Sequence, residues 1–176
     1  MNDVLSALRN EKTRIIGICE MGGVGKTTMV REIIKILQGT NKRFDDVVMS
    51  TVSVTVSIRK IQAEIAESLD MKLVKESESI RALRLHETIK DKRILIILDD
   101  VWSELKLQDV GIHFDVGPTT NQIQEGCKIL LTSRNDIVCE VMGCKDDIFR
   151  VQALNKQEAW ELFKATVGES MDNDPE

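Results

Sequence analysis

The 176 residues of this chain, 42% of them apolar, suit one globular domain with a sizeable core and are too few for two such domains. The formal net charge is −5, and the lysines and arginines are scattered along the chain. Because no basic stripe is available to neutralise a phosphodiester backbone, direct binding to nucleic acid is not expected.

The four cysteines show no Cys-x-x-Cys spacing and are expected to be buried free thiols in a reducing compartment. The N-terminus lacks a basic flank followed by an apolar core, and the longest apolar run, residues 94–98, is far too short to cross a membrane. We therefore expect no transmembrane segment and a cytoplasmic location.

The first predicted strand, residues 14–19, leads into a glycine-rich loop. The loop and the start of the next helix are Glu20-Met21-Gly22-Gly23-Val24-Gly25-Lys26-Thr27-Thr28. Apolar residues then recur at helical spacing from Met29 to Leu37, and Gly39, Thr40 and Asn41 are expected to end the helix. The order of strand, loop and helix favours a phosphate-binding loop over an ordinary glycine-rich turn.

The residue types of this loop suit the binding of nucleotide phosphates. Backbone N–H groups would surround the phosphate oxygens, and glycines allow that close approach because they carry no Cβ. Lys26 would place its charge at the β and γ phosphates, and the hydroxyl of Thr27 would bind Mg²⁺. The residues expected to bind nucleotide are Gly22, Gly23, Val24, Gly25, Lys26, Thr27 and Thr28.

Glu20 stands where the phosphate-loop pattern has its first glycine. A carboxylate about 4 Å from a phosphate would cost roughly 4 kcal/mol at an effective dielectric constant near 20. A side chain turned to solvent would cost about 1 kcal/mol or less. We favour the second orientation and expect Glu20→Gly to tighten nucleotide binding modestly, which calorimetry would detect.

The middle of the chain alternates between predicted strands and helices. Strands are expected at 47–52 and 93–98, and a helix with a clear apolar stripe at 58–69. A second helix, at about 79–90, has a weaker stripe of Ile80, Leu83 and Ile89. The run at 93–98 is continuously apolar, which is typical of a parallel strand covered on both faces.

The last third of the chain continues this alternation. Strands are expected at 128–131 and 148–151, a final helix begins near Asn155, and 103–126 is the longest stretch without a periodic pattern. The helix between the two strands would carry Ile137, Val138, Val141 and Met142. The chain is thus expected to be an α/β three-layer sandwich of the P-loop NTPase type, with a parallel sheet of about five strands and helices on both faces.

Asp99 and Asp100 directly follow the most apolar predicted strand. Because ligands of open α/β sheets bind beyond the carboxyl ends of the strands, these carboxylates are expected beside the phosphate loop. Asp99 would hold Mg²⁺, usually through its water, and Asp100 would orient or deprotonate an attacking water. A pair of aspartates that merely begins a turn is the alternative.

Arg134 follows another predicted strand, after Thr132 and Ser133. Its planar guanidinium could pair with a terminal phosphate, although a lone arginine at such a place is more often a surface residue. His86 and His113 have no partners at metal-ligand spacing and are not nominated for chemistry. The two tryptophans, Trp102 and Trp160, are expected to be packing residues.

Four ordered motifs resemble those of the NB-ARC domain of plant disease-resistance proteins. They are MGGVGKTT at 21–28, ILIILDDVW at 94–102, CKILLTSR at 127–134, and EAWELF at 158–163. The resemblance spans nearly the whole chain, and the tryptophan after the paired aspartates is similar to the class with an N-terminal coiled coil. Met49 departs from the family, which often has tryptophan at that position.

The resemblance implies an ADP/ATP-binding molecular switch of an intracellular plant immune receptor. ADP would hold the resting state, ATP the active state, and slow Mg²⁺-dependent hydrolysis would reset the switch. Carried over by position, Lys26 would bind phosphates, Thr27 and Asp99 would hold Mg²⁺, Asp100 would assist hydrolysis and Arg134 would sense the γ-phosphate.

The resemblance also implies a domain organisation. Residues 1–13 would be an N-terminal linker or helix, 14–168 the nucleotide-binding subdomain, and 169–176 the start of a linker to the ARC subdomains. In a longer parent protein the expected partners are coiled-coil, ARC and leucine-rich-repeat domains.

Two other functions remain open on the residues alone. A metabolic P-loop kinase would use the same loop and aspartates, but no acceptor or lid segment is recognisable. A nucleotide site that has decayed into an interaction module is the other alternative, and Glu20 is its direct support.

Overall fold

The computed structural model of this chain describes residues 1–19, 26–40, 43–74, 76–113, 126–144, 147–151, 157 and 160. Its strands are β1 Ile15–Cys19, β2 Asp46–Thr51, β3 Ile94–Val101, β4 Cys127–Ser133 and β5 Ile148–Arg150. Its helices are α1 Asn2–Arg9, α2 Lys26–Thr40, α3 Ile58–Ser68, α4 Glu78–Ile89 and α5 Asp136–Val141, with a 3-10 helix at Leu107–Val110. The predicted final helix lies almost wholly outside the described residues.

The five strands form one parallel sheet in the order β2-β3-β4-β1-β5. The register places Asp99 of β3 beside Thr51 of β2, and Cys19 of β1 beside Ser133 of β4. Because all strands run the same way, their carboxyl ends share one edge of the sheet. The prediction of a parallel sheet of about five strands is confirmed.

Successive residues of β3 pack on opposite faces of the sheet. Ile94, Ile96 and Leu98 lie in an apolar cluster with residues of α3, α4 and α5. Leu95 and Ile97 lie in a second cluster, with residues of α1 and α2. All five side chains are fully buried, and each such burial contributes about 1.5–3 kcal/mol. The expected three layers, with helices on both faces, are therefore present.

Short polar side chains begin three of the helices. Ser57 accepts the N–H of Lys60 at the start of α3, and Ser77 caps α4. Asn135 accepts the N–H of Ile137 at 2.9 Å and begins α5 directly after β4. These caps occupy backbone donors that a helix leaves without an internal partner, and they fix where each helix leaves its loop.

The apolar stripe predicted for α4 is wrong at two of its three residues, because only Ile89 is buried. Ile80 and Leu83 are 49% and 57% exposed, whereas the buried face includes Ala82 and Leu85. The cause is Gly111, where an added Cβ would lie 2.6 Å from both the Ala82 carbonyl oxygen and the Leu85 Cβ. The chain after the 3-10 helix packs directly on this face, and the sequence of α4 alone does not contain that contact.

Other boundaries also differ from the sequence predictions. Helix α2 continues through Gly39 and Thr40, and β3 and β4 extend far enough to include the predicted site residues. In α5, Ile137 and Val141 are exposed rather than core-facing. Trp102 is 40% exposed, so it is not the packing residue that was expected. No helix in the described part of the chain is both long and apolar enough to cross a membrane.

Candidate functional site

The candidate site lies at the carboxyl edge of the sheet, where α2 begins beside the ends of β3 and β4. Of the predicted phosphate-binding residues, Thr27 and Thr28 lie in the first turn of α2, and the helix begins at Lys26. The rest of the predicted loop, Glu20, Gly22, Gly23, Val24 and Gly25, lies outside the described residues. The geometry of the site therefore depends on Thr27 and on the strand ends.

Thr27 and Asp99 are brought together from positions 72 residues apart in the chain. The Thr27 hydroxyl donates to Oδ2 of Asp99 at 2.9 Å. Asp99 is 4% exposed, so its carboxylate is held in a nearly dry environment beside the N-terminus of α2. A hydroxyl and a carboxylate oxygen at this separation are ligands that Mg²⁺ accepts.

Thr132 holds the other side of the aspartate pair. Its hydroxyl donates to Oδ1 of Asp99 at 2.6 Å and accepts the backbone N–H of Asp100 at 2.8 Å. Thr132 is fully buried, and one hydroxyl thus serves two buried polar groups. The sequence reasoning did not nominate Thr132. Its place at a strand end, two residues before Arg134, was the available indication.

The end of β3 contains an irregularity that sets the directions of its aspartates. Leu98 pairs with Leu131, but Val101 pairs with Ser133, so three steps on β3 match two on β4. Leu98 and Val101 both lie in the α3-side cluster, which regular alternation would forbid. The irregularity is a β-bulge, which inserts one extra residue into β3. Bulges are frequent beside functional sites, where they change the direction of side chains.

Asp100, within the bulge, has an unfavourable backbone conformation. Its φ is 59°, in the left-handed region, which costs most residues with a Cβ roughly 1–2 kcal/mol and which Asp and Asn tolerate better. Both carboxylate oxygens are engaged: Oδ1 accepts Nε of Arg134 at 3.2 Å, and Oδ2 accepts the indole N–H of Trp102 at 3.0 Å.

Arg134 completes a three-residue cluster with Asp100 and Trp102. Its guanidinium carbon lies 4.7 Å from the Trp102 ring centroid, which is cation–π distance. The Arg134 side chain is 46% exposed and that of Asp100 is 33% exposed, so water screens the ion pair. Arg134 is therefore free to exchange this carboxylate for another anion at small cost.

Cys19 ends β1 immediately before the predicted phosphate loop. Burial raises the pKa of its thiol to about 12, with a hydrogen bond to Asp136 adding to the shift. Burial also raises the pKa of Cys127 to about 12. A hydrogen bond with Cys144 and burial raise the pKa of Cys139. The prediction of buried free thiols is confirmed, and none is poised as a nucleophile.

A parallel α/β sheet whose carboxyl edge joins a helix N-terminus to a buried aspartate defines a protein of the P-loop type. The model of the NB-ARC domain matches residues 1–173 of this chain. The chain belongs to the NB-ARC family, the nucleotide-binding domain of plant disease-resistance proteins, as the sequence motifs predicted.

Relatives in Arabidopsis thaliana support this assignment. The chain is 33% identical to the disease resistance protein RPS5 over 166 residues, which cover 93% of this chain and 18% of RPS5. It is 36% identical to the disease resistance protein UNI over 172 residues, which cover 96% of this chain and 19% of UNI. The chain thus spans about a fifth of the length of these relatives.

Solved structures show the same fold. The crystal structure of Cdc6p from Pyrobaculum aerophilum matches 88% of this chain and 43% of its own, with a TM-score of 0.65 and 16% identity. A DNA replication initiation factor matches 96% of this chain and 49% of its own, with a TM-score of 0.57 and 18% identity. At these identities the likeness concerns architecture alone.

Proposed function

We propose that this chain binds ADP and ATP with Mg²⁺ and acts as the nucleotide-dependent switch of an intracellular plant immune receptor. Membership of the NB-ARC family supports nucleotide binding, and the relatives that are named disease resistance proteins support a role in defence. The single observation that carries the proposal is the hydrogen bond between Thr27 and Asp99.

The donor set at this point fits a magnesium ion bound together with a nucleotide. Thr27 and Asp99 offer hard oxygen atoms, and the described residues contain no group of three or more metal-binding side chains. Mg²⁺ commonly uses one or two protein ligands and completes its shell with phosphates and water. When bound, the ion would neutralise charge on the β and γ phosphates.

The remaining roles follow from position. The backbone from Gly22 to Thr28 and the side chain of Lys26 would bind the phosphates at the N-terminus of α2. Asp100 would orient or deprotonate an attacking water, and Arg134 would contact the γ-phosphate.

The ion pair of Asp100 and Arg134 gives these last two roles a physical link. While Nε of Arg134 donates to Oδ1 of Asp100, that oxygen is not available to accept a hydrogen bond from an attacking water. A γ-phosphate that draws the guanidinium away would free Oδ1 for catalysis. Arg134 would thus couple recognition of ATP to hydrolysis, and ADP would leave the pair closed.

The test is calorimetric titration of ATP and ADP, with Mg²⁺ or with EDTA, against three forms of the chain. Thr27→Val removes the hydroxyl with little change in volume, and Thr27→Ser is the matched control. We expect Mg²⁺ to strengthen ATP binding to the native chain and to Thr27→Ser. Thr27→Val should lose about tenfold to a hundredfold of that gain.

A Mg²⁺ effect that is equal in the valine and serine variants would contradict the role of Thr27. If neither this chain nor a longer chain with the ARC subdomains binds nucleotide, the proposed switch would be contradicted and an interaction module would be favoured. Rapid multiple turnover with a small acceptor would favour a metabolic kinase. The proposed parent protein would also contain coiled-coil, ARC and leucine-rich-repeat domains. ADP that stays bound to it through purification would support the proposed resting state.

A further inference from the structure

A cavity lies at the edge of the sheet opposite the candidate site, where the strands begin. Its volume is about 640 Å³, within the range of small-molecule sites. Five of its eight lining residues are cationic and one is acidic. The cations are Lys12, Arg14, Arg43, Arg93 and Lys128. The cavity lining is therefore positively charged although the net charge of the chain is −5.

Lys128 supplies a buried cation to this cavity. It is 6% exposed, and its Nζ donates to the backbone carbonyls of Asn10 and Thr13. Within the described part of the chain it forms no salt bridge. Burial, together with the nearby charges of Arg43 and Arg14, lowers the pKa of Lys128 to about 8, against the opposing charges of Asp147 and Glu11. The lysine therefore lies in a positive field that the surrounding carboxylates only partly offset.

Arg43 also keeps its charge available to a ligand. Nη2 of Arg43 donates to the carbonyl of Arg9 at 2.6 Å, and a carbonyl cannot neutralise a guanidinium. Arg93, in contrast, is paired with Asp45 at 2.7 Å, and Asp45 does not line the cavity. Glu11 is the one acidic group in the lining. The cavity thus combines a buried ammonium with planar guanidinium groups, the donors that phosphate oxygens favour.

We propose that this cavity is a binding site for a small, multiply phosphorylated anion, such as an inositol phosphate or the headgroup that carries the same phosphates. Arginine forks and the Lys128 ammonium would contact separate phosphate groups, and the cavity volume suits one sugar-sized ring with its substituents. A bound polyanion would also relieve the repulsion among these cations.

The site is separate from the nucleotide site. Arg93 precedes β3, and Asp99 lies five residues into the strand from Ile94, so the rise along β3 separates the two sites by roughly 15–20 Å. A ligand in the cavity would therefore contact neither the aspartate pair nor Thr27. Its binding does not depend on the switch proposed above.

The experiment uses inositol 1,4,5-trisphosphate as the probe, with calorimetry for affinity and backbone NMR for location. The test variant carries Lys12→Gln and Arg43→Gln, which leave the Lys128 tether intact. The matched control carries Lys35→Gln and Arg59→Gln, which remove the same two charges from exposed ion pairs on α2 and α3. A third variant, Lys26→Ala, disables the predicted phosphate loop.

We expect binding to the native chain with amide shifts at Arg14, Arg93 and Lys128. The test variant should bind at least about tenfold more weakly, whereas the control and Lys26→Ala should stay within about twofold. Phosphatidylcholine vesicles that carry phosphatidylinositol 4,5-bisphosphate distinguish a lipid source, if they bind as tightly as the free probe, from a soluble ligand, if they do not.

Three results would overturn the proposal: no binding of the probe, an equal loss of affinity in the test and control variants, or binding that Lys26→Ala abolishes. The last result would place the probe on the phosphate loop instead. Failure of the nucleotide switch would leave the expected pattern unchanged, because none of these readouts depends on ATP.

Discussion

The hydroxyl of Thr132 lies 2.6 Å from Oδ1 of Asp99, although 33 residues separate them in the chain. The hydroxyl oxygen of Thr132 also accepts the N–H of Asp100, so this one hydroxyl holds both the side chain of Asp99 and the backbone of Asp100. Thr132 thus orients the carboxylate of Asp99 so that Oδ2 faces Thr27, although Thr132 itself would not contact the nucleotide.

Replacement of Thr132 by valine should destabilise the protein and disorder the aspartate pair. The change leaves a buried carboxylate oxygen and a backbone N–H without their partner, at a cost of about 2–4 kcal/mol. Urea unfolding measures this cost. Thr132→Ser keeps the hydroxyl and should lose about 1 kcal/mol or less for its missing methyl group. Equal stability of the two variants would contradict the proposed role of the hydroxyl.

Asp100→Asn should separate catalysis from stability. Asparagine tolerates the left-handed backbone at this position, and the exposed ion pair with Arg134 contributes at most about 1 kcal/mol. If Asp100 is the base, hydrolysis should fall by about a hundredfold or more, which single-turnover phosphate release would measure. An unchanged rate would remove Asp100 from the proposed mechanism. Asp100→Ala, which adds backbone strain, should be the less stable variant.

Trp102 should report the position of Arg134. The sequence has two tryptophans, so Trp160→Phe leaves Trp102 as the sole indole fluorophore. Because the guanidinium lies over the Trp102 ring, its withdrawal toward a γ-phosphate should change the emission on binding of ATP but not of ADP. In the same background, Arg134→Ala should abolish this difference and weaken the preference for ATP. A response that survives the alanine change would show that it comes from elsewhere.

Lys128 should titrate at a lower pH than an ordinary lysine. The pKa of its ammonium is lowered from 10.5 to about 8, chiefly by burial, and NMR of the lysine side chains would observe it directly. The folded state disfavours the charged form, so the cost of that charge is present below pH 8. The cost is relieved as the pH rises from about 8 towards 10.5, because the unfolded chain then binds more protons.

The free energy of unfolding should accordingly gain about 1 kcal/mol from Lys128 between pH 8 and 9. The buried thiols act in the opposite direction over the same pH range, because the pKa of Cys127 is raised from 9.0 to about 12. The measurement is therefore the difference between urea titrations of the native chain and of Lys128→Met, in which the contribution of the thiols cancels. Titration of Lys128 only above about pH 10 would contradict the expectation.

Much of the fold follows from local sequence. The continuous apolar run of β3 predicted a strand covered on both faces, and the spacing of Ile58, Ile61 and Ile65 predicted α3. These segments carry their own burial pattern, so no distant contact is needed to recognise them. Each motif is likewise a continuous stretch of sequence, so the family could be predicted without knowledge of any distant contact.

The parts that could not be predicted depend on contacts between distant residues. In the bulge at the end of β3 the Asp100 N–H is bound by Thr132 of β4, and the buried face of α4 contacts Gly111 closely. Lys128 is part of an otherwise apolar strand pattern, and its tether to Asn10 and Thr13 appears only once α1 is in place. Periodicity within one segment does not contain such information.

Strand β4 carries Lys128 near its start and Thr132 near its end, four residues apart and therefore on the same face of the sheet. Leu130, between them, packs in the cluster that includes α1 and α2. A slip of β4 by one residue would turn all three side chains to the other face at once. The alignment of this strand is thus fixed by an ammonium tether at one end, an apolar contact in the middle and a hydroxyl clamp at the other end.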